Sequence, residues 1–148
     1  MALYFEDFQL GDVVLTPART VTQADVMDFA RLSGDFNPLH TDPEFARGTP
    51  MGRPVAHGLL ALSIATGLSA DTGQLTGSAL AFLGLDEWRF KAPVFYGDAI
   101  RLRWMVTDKR LASNGKAGVL KRTLEIINQD DTVVQSGTFT TLVRTRGN

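Results

Sequence analysis

Val55-Ala56-His57-Gly58-Leu59-Leu60-Ala61-Leu62-Ser63-Ile64-Ala65-Thr66-Gly67-Leu68 is apolar nearly all the way round. A helix without a polar face belongs inside a fold, so this stretch predicts a buried helix over 55–68, entered from a turn-rich connector, Gly48 to Pro54. From about Ser78 onward the pattern changes to alternation. Ile100, Leu102, Trp104 and Val106 fall on one face of a strand and Arg101 and Arg103 on the other, the signature of a half-buried strand. Ser113-Asn114-Gly115-Lys116 is a hairpin signal, because Asn-Gly tolerates positive φ, and Asn128-Gln129-Asp130-Asp131 marks the next turn. A run of antiparallel strands with one apolar face needs a cover. The 55–68 helix is the one element apolar enough to supply it, so the chain reads as α+β, an antiparallel sheet wrapped around a long central helix.

The 148 residues suit one domain, 1–148, with a single core. Charged residues make up 21% and no stretch is long and apolar enough to span a bilayer, so no membrane partner is expected. Met1 to Asp12 carries three acids and no Lys or Arg, unlike a secretory leader, and the chain is read as cytoplasmic. The absence of cysteine excludes disulfides, thiolate nucleophiles and Cys-ligated metal. A net charge of −1 with interspersed signs lacks the basic footprint of a nucleic-acid binder. Arg144 to Asn148 are expected to fray.

Upstream of the central helix lies Ser33-Gly34-Asp35-Phe36-Asn37-Pro38-Leu39-His40, which sets a carboxylate and an imidazole five positions apart around an Asn-Pro turn. Thr22-Gln23-Ala24-Asp25 resembles a capping box and opens a helix that Gly34 is placed to end. Asp42-Pro43 repeats the start signal for a short helix to about Arg47. Asp35 and His40 therefore lie between helices, where the two can share proton transfer, since an unperturbed imidazole titrates near ~6.5. A strong metal spacing such as His-Glu-x-x-His is missing, although His40, Asp42 and His57 supply ligand types; no metal is expected.

Three stretches carry a family resemblance that covers nearly the whole chain: Gly34-Asp35-Phe36-Asn37-Pro38-Leu39-His40 with Thr41-Asp42-Pro43, then Pro54-Val55-Ala56-His57-Gly58-Leu59-Leu60, then Phe90-Lys91-Ala92-Pro93-Val94 with Gly97-Asp98. They resemble the MaoC-like (R)-specific enoyl-CoA hydratases and dehydratases of the hot-dog fold. The resemblance implies that Asp35 and His40 are the catalytic pair, and that the backbone N–H of Gly58 hydrogen-bonds the thioester carbonyl of the substrate. It implies reversible addition of water across the 2,3 double bond of a trans-2-enoyl thioester, giving an (R)-3-hydroxyacyl thioester. No cofactor is expected beyond coenzyme A as part of the substrate, with an acyl carrier protein as the other carrier, and the resemblance implies a homodimer or a dimer-based oligomer.

Asn37 is a candidate to orient the pair or the water, with turn chemistry as its other reading. Ser63 and Thr66, one and two turns into the central helix, either face the same pocket or bond back to carbonyls four residues earlier. His57 suits a structural hydrogen bond or a helix-start role. Leu59, Leu62, Phe82 and Trp88 are candidates to set pocket depth. Arg89, Lys91, Arg101 and Arg103 either meet coenzyme A phosphates or form a solvated strand face. The same fold also supports an acyl-CoA thioesterase or a non-catalytic acyl-thioester-binding subunit, because fold alone does not fix function.

Overall fold

The alternation in the C-terminal half builds one antiparallel sheet in the computed structural model, which describes residues 1–147. Its strands are β1 (Val13–Leu15), β2 (Arg19–Thr20), β3 (Ala79–Phe90), β4 (Ala99–Leu111), β5 (Ala117–Ile127) and β6 (Val133–Arg144). Their order is β1-β4-β5-β6-β3, with β2 also paired to β4. Trp104 stands opposite Leu124, Leu124 opposite Gly137 and Leu85 opposite Phe139, which fixes the register across the long strands. Ile100, Leu102, Trp104 and Val106 all point inward and are buried, as their spacing requires. On β5 the inward positions are Leu120, Arg122, Leu124 and Ile126, an arginine in an aliphatic row.

Four helices lie on the N-terminal side of β3: α1 (Gln23–Ser33), α2 (Pro38–Thr41), α3 (Pro43–Arg47) and α4 (Gly58–Asp71). The Thr22 hydroxyl accepts from the Asp25 N–H while the Asp25 carboxylate accepts from the Thr22 N–H, closing the expected capping box. Gly34 ends α1 at φ 80°, a left-handed position that glycine enters without steric penalty. Asp42 caps α3 through the N–H groups of Glu44 and Phe45. The predicted Asn-Pro turn is itself a one-turn helix, α2, capped by Asn37 and started by Pro38.

The central helix begins three residues later than predicted and runs one turn further. Val55 bridges to Phe95 and the Ala56 N–H donates to the Val94 carbonyl, so the connector between β3 and β4 claims the first apolar residues before the helix can. Leu60, Ala61, Ile64, Ala65 and Leu68 pack against Ile100, Leu102, Trp104, Leu124, Ile126, Val134 and Phe139 in one core. The helix is not covered on every side: Leu59, Ser63, Thr66 and Gly67 are exposed. The C-terminal end also departs from expectation. Arg144 is in β6, Thr145 bonds to Gly115 and Lys116, and Arg146 meets Glu6 and Asp7. Asn148 lies outside the described residues.

Candidate active site

Three short polar side chains turn the chain from α1 into α3, each accepting from a backbone N–H two residues on. Asp35 Oδ1 accepts from Asn37, Asn37 Oδ1 from Leu39 and Asp42 Oδ1 from Glu44. The Asn37 side chain is thus spent on capping α2, the turn-chemistry alternative of its two readings. His40 sits on α2, half-buried. Its Nδ1–H donates to the Val55 carbonyl at 2.7 Å, which places the ring lone pair on Nε2. The Tyr96 hydroxyl donates to the His40 carbonyl, fixing the same residue from the other side.

His57, buried at the N-cap of α4, binds this loop to the core. Its Nε2–H donates to the Asp35 carbonyl at 2.9 Å, its ring stacks on His40 with centroids 4.0 Å apart, and Phe29 closes its other flank at 4.9 Å. The side chain caps no helix N–H, so the structural hydrogen bond is its role. One ligand-type atom from each of Asp35, His40 and His57 lies within 4.8 Å of the others. Asp42 is not in that group. The two imidazoles stack with their planes 28° apart.

A hollow of about 490 Å³ opens beside His40, lined by Leu39, Val55, Gly58, Leu59, Phe90 and Lys91 among others. Gly58 is the first residue of α4, where an N–H has no partner in the helical ladder and the helix dipole favours negative charge. A Cβ there would come within 2.7 Å of the Phe90 ring, so a larger residue would have to push that ring aside. Gln135 orients this first turn, donating from Nε2 to the Gly58 carbonyl while its Oε1 accepts from Trp88 Nε1.

Ser63 and Thr66 are not in this hollow. Ser63 Oγ donates back to the Leu59 carbonyl four residues earlier, the helical alternative anticipated for it, whereas Thr66 Oγ1 donates to the Ser63 carbonyl only three residues earlier. Ser63 borders a separate depression beside α1, and Thr66 a second hollow of about 450 Å³ at the far end of α4. Of the depth candidates, Leu59 lines the first hollow and Phe82 the second, while Leu62 and Trp88 pack against the core. Arg101 and Arg103 pair with Asp131 and Glu125 on the outer face of the sheet, whereas Lys91 reaches the first hollow. Tyr96, Gln135 and Arg122 were invisible to motif reading. For Arg122 a signal existed, since Leu120-x-Arg122-x-Leu124-x-Ile126 puts it on an inward face.

A sheet closed over one long helix is the hot-dog architecture, and Asp35 and His40 meet beside the start of that helix. Residues 7–126 match the family model described as "MaoC like domain", and the chain belongs to that family. It is 43% identical over 107 residues to "Protein MaoC" of Klebsiella aerogenes, a match covering 72% of this chain but 31% of that protein. To an "(R)-specific enoyl-CoA hydratase" of Rhodospirillum rubrum it is 32% identical over 145 residues, covering 97% of this chain and 94% of the relative. Among solved structures, the "Monoamine oxidase regulatory protein" of Archaeoglobus fulgius superposes with TM-score 0.91 at 39% identity, over 98% of this chain and 97% of that one. The chain spans about a third of the Klebsiella relative's length.

Proposed function

We propose that the chain is a hydro-lyase that adds water reversibly across the 2,3 double bond of a trans-2-enoyl thioester to give an (R)-3-hydroxyacyl thioester. The observation that carries this reading is the convergence of Asp35 and His40 beside the N-terminus of α4. One water is held by the Asp35 carboxylate and His40 Nε2. Its oxygen attacks the β-carbon, its proton passes to the pair, and a proton returns from the pair to the α-carbon on the same face. Enolate-like charge develops on the thioester oxygen and is met by the Gly58 N–H, a contribution of about 3–4 kcal/mol for a fixed donor. The stack under His40 and the bonds to Val55 and Tyr96 keep the ring from swinging away as the water arrives.

Coenzyme A or a carrier protein supplies the thioester and no further cofactor is needed. The name of the Rhodospirillum relative supports the reaction class. The working unit is a homodimer. β3 is an open edge whose Leu80, Phe82, Leu83, Leu85 and Phe90 are all exposed, and a second copy pairing there would cover them.

Incubation with crotonyl-CoA tests the reading. Loss of the enoyl absorbance without release of free thiol is expected, and Asp35→Asn and His40→Ala each lower kcat by about 10²–10⁴-fold. Thiol release in place of hydration assigns a thioesterase; ligand binding without turnover assigns a non-catalytic subunit.

A further inference from the structure

The second hollow holds an arginine that the fold does not neutralise. Arg122 is 3% exposed, on the inward face of β5 between Leu120 and Leu124. Its Nη1 donates to Ser69 Oγ at 3.1 Å, its Cζ lies 5.0 Å from the centre of the Trp104 ring, and its Nε is buried without a partner. Among the described residues no carboxylate pairs with it, and none lines the hollow, whose other walls include Thr66, Phe82, Phe139 and Thr141. Burial pulls its pKa down to about 10, the mark of a cation held from water without compensation. An unpaired buried charge is among the costliest features a fold can carry, and an aliphatic residue would fill the row without that cost. A guanidinium fork with free donors in a cavity is the geometry that receives a carboxylate.

We infer that Arg122 anchors a carboxylate carried by the far end of the acyl group, so that the preferred substrates are thioesters of unsaturated dicarboxylic acids. The inference rests on the hydratase reading and its two-fold dimer. Antiparallel pairing of β3 with a second copy sets the Phe82 end of one protomer against the Phe90 end of its partner. The hollow containing Arg122 then continues the hollow beside His40 across the junction. The thioester sits at Gly58, the double bond faces Asp35 and His40, and the tail runs into the cavity of about 450 Å³ that ends on the guanidinium.

The test compares the whole protein on two acyl groups of equal length, hex-2-enoyl-CoA and the CoA monothioester of hex-2-enedioic acid, with wild type, Arg122→Met and Arg122→Lys. Wild type is expected to favour the carboxylated thioester at least ~10-fold in kcat/KM, Arg122→Lys to keep part of that preference, and Arg122→Met to abolish it. A ratio near one in wild type, or the same ratio in a folded Arg122→Met, overturns the proposal. Should neither thioester be hydrated, the hydratase reading fails on its own. Binding of the saturated pair, adipyl-CoA against hexanoyl-CoA, then decides the anion site: tighter adipyl-CoA binding that depends on Arg122 supports it, and equal binding overturns it.

Discussion

His57 holds Asp35 by its carbonyl and His40 by its ring face, so one buried side chain sets the separation of the two residues proposed to hold the water. Tyr96 does comparable work from the sheet side through the His40 carbonyl. Replacing it by Phe removes that bond and keeps the ring. Tyr96→Phe is expected to lose about 1 kcal/mol of stability at pH 8 and to lower kcat more than it changes KM. Burial raises the Tyr96 pKa above its ordinary value, so the stability this phenol contributes is complete below pH ~10 and is lost as pH rises through the higher folded value. The gap between wild type and variant in thermal unfolding therefore narrows on the alkaline side. A constant gap up to pH 11 contradicts this account. Tyr96 was illegible in the sequence because its partner lies 56 residues away, whereas Asp35, His40 and Gly58 stand in local motifs that name themselves.

At the level of the element, the caps decide where the loop between α1 and α3 begins and ends. Asp25 closes the box at the start of α1. Its partial burial pushes the carboxyl up, but the Thr22 N–H and hydroxyl and the Arg19 guanidinium outweigh that and leave it below the ordinary value of 3.8. A lowered folded pKa contributes stability above pH ~3.8, lost as pH falls through the folded value. Asp25→Asn is accordingly expected to be less stable than wild type by about 1 kcal/mol at pH 7, with the difference shrinking in acid; denaturant unfolding at pH 7 and pH 3 measures it. These caps were readable because they are written within a few residues: Thr22 with Asp25, Gly34 after Ser33, Asp42 before Pro43. The start of α4 was not, since Val55 and Ala56 are apolar enough for a helix and only the distant Val94-Phe95 segment draws them into extended pairing. Nor were the contexts of Ser63 and Thr66, because a helix apolar all round gives no sign of which face its neighbours leave open.

At the scale of the molecule, the open edge at β3 and the two hollows at opposite ends of α4 are what the proposed dimer would join, each protomer then supplying half of two sites. Light scattering on a sizing column is expected to give twice the chain mass. Leu85→Lys, which sets like charges near the proposed two-fold axis, is expected to shift the protein to monomer and cut hydration at least ~10-fold while far-UV dichroism is kept. A fully active monomer removes the dimer from the mechanism.

The strand order has a further consequence for how the chain reaches this state. Among the described residues β3 has one intramolecular partner, β6, and β6 is made after every other strand described. During synthesis Leu80, Phe82, Leu83 and Leu85 therefore wait, with both edges of their strand bare, until the C-terminal strand leaves the ribosome. Folding is delayed by this long-range closure, and the interval is when chains can aggregate through β3. The edge proposed to join two finished protomers is thus the segment by which unfinished ones are most exposed to misassembly, so yield from refolding should fall as the starting concentration of unfolded chain rises.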